Sequence, residues 1–223
     1  MSLDMQLLPA CEKQLLRLGY LRLTDSAPLI MARELGLYQR YGLEVELCRE
    51  VSWANVRDKL VAGDLDASQM LAPLPLATSL GLGGLRAEVI TGLALSLNGN
   101  AITLSEKLSG VVMPAPSWAP VGARESALAL GRYLRDRPGT APLVLASAHT
   151  VSCHTFLLEH WLRAGGVDPM RDVRIFVLPP VEMVDSLSRG LIDGFCVGEP
   201  WNTLAVQSGL GAIAATGYQI WNI

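Results

Sequence analysis

Between residues 18 and 209, short β-like stretches and amphipathic stretches take turns, and this alternation limits the fold more than any single motif does. LGYLRL (18–23) reads as a strand. Thr24-Asp25-Ser26-Ala27-Pro28 then supplies helix-capping residues and an early proline. LIMARELGLYQRYG follows, with apolar residues at Leu29, Ile30, Ala32, Leu35 and Leu37 on a helical spacing and Gly42 as its stop. LEVELCREV (43–51) alternates as a strand, Ser52-Trp53-Ala54-Asn55 opens a second helix, and 66–70 and 73–80 repeat the pair on a smaller scale. Segments 87–98 and 101–104 are further strand candidates. After the proline-rich VVMPAPSWAP, a helix is expected over 122–137. LVLASA, SCHTFLLEHWLRAGG, VRIFVLPP, VEMVDSLSRGLI and GFCVGEPWNTLAVQSG then continue the alternation to residue 209. The expectation is an α/β fold with mostly parallel sheets flanked by helices, in which ligands meet the carboxyl ends of strands.

Polar groups concentrate at three of the predicted helix starts: Thr24-Asp25-Ser26, Ser52-Trp53 and Ser152-Cys153-His154. Helix N-termini carry free N–H groups and partial positive charge, so several of them facing one cleft suit a small anion. Thr24, Asp25 and Ser52 are equally ordinary capping residues. Trp53 is not a capping type, and its indole N–H can only donate. Asn100, after the Asn98-Gly99 turn, adds an amide, and His154 adds one or two ring donors. The turn fits an anion contact and a simple hinge alike.

Other classes of function find little support. A net charge of -3 with no charge blocks lacks the basic face that nucleic-acid binding needs. No apolar run approaches the roughly 20 residues that span a bilayer. Leu8-Pro9-Ala10-Cys11 loosely resembles a lipoprotein cleavage site, but Asp4 precedes it and no basic region leads in. Cys11, Cys48, Cys153 and Cys196 form neither a C-x-x-C pair nor a metal cluster with the histidines, so reduced thiols without metal are expected, in keeping with a reducing cytoplasm. Motifs for a serine hydrolase, a P-loop, a zinc protease and a dinucleotide fold are missing, and Cys153 and His154, adjacent on a helix, point about 100° apart. Binding without catalysis, and without a cofactor, is the expectation.

Four blocks in order, S-W-x-x-x-R-D, M-L-A-P-x-P, N-G-N-A-I and V-G-E-P-W-N, resemble the nitrate/bicarbonate-binding branch of the type II periplasmic-binding-protein superfamily. The resemblance implies two α/β lobes with the ligand closed between them, the first over 15–103 and completed by 198–223, the second over 104–197. It implies that Thr24, Trp53, Asn100 and His154 hold nitrate or nitrite, with Asp25, Ser52, Glu199 and Asn222 in or around the cleft. Transport members carry a lysine after a D-x-W or Q-x-W element, whereas here Asn222 follows Gln219-Ile220-Trp221. That departure and the lack of a recognisable leader point to a cytoplasmic nitrate/nitrite sensor of the NasS type, which controls an antiterminator protein. The alternative is a solute-binding subunit of an ABC-type nitrate/bicarbonate transporter, periplasmic if a leader has been removed. The chain is also short for this branch, and a first lobe without its returning elements is expected to expose apolar surface.

Overall fold

The computed structural model describes residues 12–113, 122–137 and 139–221. The lipoprotein-like Cys11 and the expected cleft residue Asn222 lie outside these. The first part of the chain forms β1 (Leu15–Tyr20), a 3-10 turn at Thr24–Ser26, α1 (Ala27–Glu34), α2 (Leu37–Arg40), β2 (Glu44–Arg49), α3 (Trp53–Ala62), β3 (Ala67–Ser68) and α4 (Pro73–Leu80). Its three-stranded sheet runs β2-β1-β3, all parallel. The single helix expected over 29–42 is broken into α1 and α2 because Gly36 takes φ +65°, a left-handed conformation that ends the first helical run.

The second part forms β4 (Asn100–Ser105), α5 (Glu106–Val112), α6 (Ala123–Arg135), β5 (Leu143–Ser147), α7 (Cys153–Ala164), β6 (Val173–Val177), a 3-10 turn at Pro180–Glu182 and α8 (Met183–Ser188). It continues through β7 (Gly194–Gly198), α9 (Trp201–Gln207), β8 (Gly211–Thr216) and α10 (Gly217–Ile220). The five-stranded sheet has the order β6-β5-β7-β4-β8. β5 is parallel to β6 and β7, while β4 runs antiparallel to both β7 and β8. The overall α/β architecture of two helix-flanked sheets is the one anticipated.

One local expectation is corrected. Segment 87–98 has strand-like composition but forms no strand. Its amides bond instead toward α4, Ala87 N–H to the Thr78 carbonyl at 3.3 Å and Val89 N–H to Ser79 Oγ at 3.4 Å. Strand propensity needs a ladder partner, and β3, the adjacent sheet edge, pairs only with β1. Ile90, Leu93 and Leu97 are left 89%, 71% and 85% exposed, the kind of apolar surface expected of the first lobe. In the last described part of the chain, Trp201 and Ala205 pack in a cluster with Leu21, Leu23 and Trp53 of the first part. β8 pairs with β4 in the second sheet, and Ala214 and Ala215 pack into that sheet's core beside Ile102 and Leu104.

One buried cluster belongs to the second sheet and its helices, with Leu130, Leu158, Trp161 and Leu162 at its centre. The other joins the two sheets. Leu21, Leu23, Trp53, Val56 and Leu74 of the first part pack with Ala146, Met183, Phe195, Val197 and Trp201 of the second. Hydrogen bonds tie the same seam, from Trp201 Nε1 to the Arg22 carbonyl at 3.1 Å and from Thr24 N–H to the Glu199 carbonyl at 2.8 Å. Among the described residues, no helix is long and apolar enough to cross a membrane.

Helices α6 and α7 approach so closely that a Cβ on Gly131 would strike the Gly165 carbonyl, and one on Gly165 would strike the Ala127 carbonyl. Backbone cannot move aside as a flexible side chain can. Gly165→Ala is therefore expected to lower unfolding free energy by about 1–3 kcal/mol, read as a lower urea midpoint at unchanged slope.

Candidate functional site

The seam between the sheets is where most of the polar residues singled out in the sequence gather. Ser52 and Ser152 cap α3 and α7, their hydroxyls accepting from Asn55 N–H at 3.2 Å and Thr155 N–H at 3.1 Å. The caps fix the first helical turns, which carry Trp53 and His154. Ser52 Oγ also donates to Asn55 Oδ1 at 2.7 Å, so this hydroxyl serves its helix. The starts of α4 and α7 touch as well: the Ala72 amide donates toward the Cys153 thiol, although burial outweighs it and pushes that thiol up.

Asn98 and Gly99 both take left-handed backbone, φ 63° and 84°, which an Asn-Gly pair adopts with little strain. The Gly99 carbonyl accepts from Glu199 N–H at 3.1 Å, and the chain leaves the turn with Asn100 as the first residue of β4. Asn100 Oδ1 then lies 3.0 Å from His154 Nε2. An amide oxygen accepts, so the ring's proton is assigned to Nε2. His154 is 1% exposed, and burial drives its pKa down to about 4, leaving it neutral at physiological pH. Nδ1 is therefore a bare lone pair, buried and without a partner.

Trp53 is fully buried and its Nε1–H has no acceptor. The contrast with Trp161 is sharp, since that equally buried indole donates to the Ala123 carbonyl at 3.0 Å and Ser126 Oγ at 3.1 Å. An unpaired buried donor costs about 1–3 kcal/mol. No hydrogen bond joins Trp53 to Asn100 or His154. It shares a buried cluster with Leu23 and Val197, the chain neighbours of Thr24 and Gly198.

Thr24 contacts Glu199 through both its groups: Oγ1 donates to the Glu199 carbonyl at 3.3 Å, beside the main-chain bond at 2.8 Å. Glu199 Oε2 accepts from Thr203 N–H at 3.0 Å. Asp25 Oδ1 accepts from Gln69 Nε2 at 2.5 Å, and burial raises the carboxyl above its usual range. Gln69 was not singled out from the sequence. It is 1% exposed, and its Oε1 accepts the Leu21 amide at 2.8 Å, so it positions Asp25 from below. Its only sequence signal is a long amide side chain in a predicted strand. Gly198, inside a quoted motif but given no role there, adjoins both Asn100 and His154.

A cavity of about 160 Å³ opens at the Asn98-Gly99-Asn100 turn and is also bounded by Glu199, Thr216 and Tyr218. Trp53 and His154 do not line it. The structure thus joins Asn100 to His154 and Thr24 to Glu199, and leaves the indole nitrogen of Trp53 and Nδ1 of His154 buried without partners. Among the described residues, no three His, Cys, Asp or Glu side chains are grouped as a metal site.

The burial of His154 makes stability depend on pH. The unfolded ring takes a proton near pH 6.5, whereas the folded ring refuses it until about pH 4. Stability contributed by this residue is complete above pH 6.5 and falls as pH drops through that window, by at most about 3 kcal/mol. His149, lowered mainly by burial, acts in the same direction, and Asp25, raised by burial, in the opposite one. Urea unfolding of the wild type and His154→Gln at several pH values should show a shallower slope for the variant between pH 4 and 6.5.

The sequence model of the NMT1-like family matches residues 9–223. The chain is 43% identical over 213 residues to the nitrate import ATP-binding protein NrtC of Synechocystis sp., a match covering 95% of this chain and 30% of that protein. It is 38% identical over 213 residues to the bicarbonate transport ATP-binding protein CmpC of Synechococcus elongatus, again over 95% of this chain and 30% of the relative. Among solved structures, the periplasmic nitrate-binding protein NrtA from Synechocystis PCC 6803 superposes with a TM-score of 0.81 at 32% identity. That match covers 92% of this chain and 52% of NrtA, so the chain spans a third to a half of these relatives' lengths.

Proposed function

The chain belongs to the NMT1-like family, and from that premise we propose that it binds a small oxyanion, nitrate or nitrite, at the seam between its sheets, as the recognition unit of an import system. The observation that carries this reading is the enclosed Asn100–His154 pair, whose free ring nitrogen Nδ1 is buried without a partner. Once protonated, that nitrogen becomes a charged donor, and a bound anion would supply its counter-charge. The Trp53 indole is the second unpaired group on the same seam, the Asn100 amide the third donor, and Thr24 the fourth once its hydroxyl turns from the Glu199 carbonyl.

Nitrate is planar, singly charged and a weak base, so recognition rests on a ring of donors. Hydrogen bonds to charged groups contribute about 1.5–3 kcal/mol each, and three or four suffice for micromolar binding at roughly 8 kcal/mol. Bicarbonate carries a hydroxyl that needs an acceptor. Glu199 is the carboxylate at hand, and one of its oxygens already holds Thr203 N–H. The donor-rich seam favours nitrate or nitrite.

The import reading replaces the sensor reading as the better supported. NrtC and CmpC, matched over nearly the whole of this chain, carry transport names, and nothing in the comparisons speaks for an antiterminator partner. Similarity to a periplasmic nitrate-binding protein supports the periplasmic alternative over a cytoplasmic location. The sequence has no P-loop motif, so what it shares with the ATP-binding proteins is a region other than their nucleotide-gripping loop. The natural role of such a region is recognition of the solute.

Calorimetric titration with nitrate, nitrite and bicarbonate tests the proposal. Micromolar binding of nitrate or nitrite is expected in the wild type. Trp53→Phe, which deletes the N–H and keeps an aromatic ring in the seam, should weaken it about ten- to a hundred-fold. Lack of binding by all three anions would sink the reading. A bound anion also favours the imidazolium form of His154. Affinity should therefore rise as pH falls from about 7 to about 5, with proton uptake visible as a dependence of binding heat on buffer ionisation enthalpy.

A further inference from the structure

β1 ends at Tyr20, and the chain then turns a corner through 21–26 that carries Thr24. The second part of the chain holds this corner through Thr24 N–H, which donates to the Glu199 carbonyl at 2.8 Å. The first part holds it through Gln69, which follows the two-residue strand β3. Gln69 N–H donates to the Gly19 carbonyl at 2.9 Å, and beyond that point its side chain takes over from the ladder: Oε1 accepts from Leu21 N–H at 2.8 Å and Nε2 donates to Asp25 Oδ1 at 2.5 Å. The bond to Leu21 satisfies a buried main-chain amide, as packing alone demands. The bond to Asp25 meets no such demand, because a carboxylate is solvated better by water, and burial here works against its charged form. What the second bond adds is a clasp from Leu21 to Asp25, with Thr24 inside the span.

We propose that Gln69 is a positioning residue for anion binding, clasping the corner between Leu21 and Asp25 so that the Thr24 hydroxyl is held ready for the ligand. This rests on the oxyanion reading of the site above, in which Thr24 is a ligand contact. Thr24 is exposed, whereas Gln69 is 1% exposed, so the amide acts on the ligand only through the corner it holds. With the main chain fixed at Leu21, Thr24 and Asp25, turning the hydroxyl from the Glu199 carbonyl toward an anion needs only a side-chain rotation. Without the clasp, binding would also have to order the backbone of the corner, and affinity would drop accordingly. Charge alone makes the opposite prediction: removing the Asp25 carboxyl, one residue from Thr24, takes negative charge away from an anion and should strengthen its binding. The sign of the effect therefore separates a clasp from a simple electrostatic neighbour.

The test is calorimetric titration of nitrate against the wild type, Asp25→Ala and the exchange Gln69→Glu/Asp25→Asn, and against Thr24→Val with and without Asp25→Ala. Asp25→Ala opens the clasp while leaving the Leu21–Gln69 bond, and should lower nitrate affinity about ten-fold. The exchange reverses donor and acceptor across the clasp at unchanged net charge, and should return affinity to within about three-fold of the wild type. In the Thr24→Val background, Asp25→Ala should cost less than about two-fold more, because the group it positions is already gone. Affinity that is unchanged or higher in Asp25→Ala overturns the proposal, as does an exchange that binds no better than Asp25→Ala, or a loss just as large without the Thr24 hydroxyl. Should the exchange not fold, the sign of the Asp25→Ala effect and its dependence on Thr24 decide by themselves. A wild type that binds neither nitrate nor nitrite is a separate outcome: it removes the oxyanion reading and this inference with it.

Discussion

Leu21, Leu23 and Trp53 leave the first sheet and its helix to pack against Phe195, Val197 and Trp201 of the second, so the two halves share one buried cluster. Each such side chain contributes about 1.5–3 kcal/mol by leaving water, and separation of the sheets would expose them together. The hydrogen bonds from Trp201 Nε1 to the Arg22 carbonyl and from Thr24 N–H to the Glu199 carbonyl lie at the rim of this cluster and fix the angle at which the halves meet. Every candidate ligand contact depends on that seam. Thr24 and Trp53 come from one side, Asn100, His154 and Glu199 from the other.

The electrostatics of the seam follow from its dryness. His154 is neutral because burial penalises its charged form, and among the described residues no carboxylate stands against it to reverse that. A neutral ring that donates to Asn100 leaves a lone pair inside the protein, and an indole nearby leaves a donor unpaired. Native interiors rarely tolerate such groups, and functional sites are where they persist. Burial raises the Asp25 carboxyl, and the hydrogen bond from Gln69 works against that shift. The thiol of Cys153 is pushed up by burial rather than activated.

The first sheet shows what happens to strand-like sequence without a partner. Segment 87–98 lies beside α4, with Ile90, Leu93 and Leu97 facing water, while β3 offers only two residues to the sheet. In the second sheet, the comparable apolar run over 100–105 is flanked by β7 and β8 on both sides and is almost wholly buried. The two segments are similar in composition, so the difference lies in what stands next to them.

Much of this was legible in the sequence. The alternation of strand and helix, the caps at Ser52 and Ser152, and the Asn98-Gly99 turn are local features, dictated by periodicity and by backbone preferences within a few residues. The same local chemistry drew attention to Trp53, Asn100 and His154. Tertiary structure alone decided that Asn100 Oδ1 reaches His154 Nε2 from 54 residues away, that β8 runs antiparallel beside β4, and that 87–98 forms no strand. Each of these is a relation between distant segments, and a side chain's chemistry carries no information about which distant neighbour desolvates it or completes its hydrogen bonds.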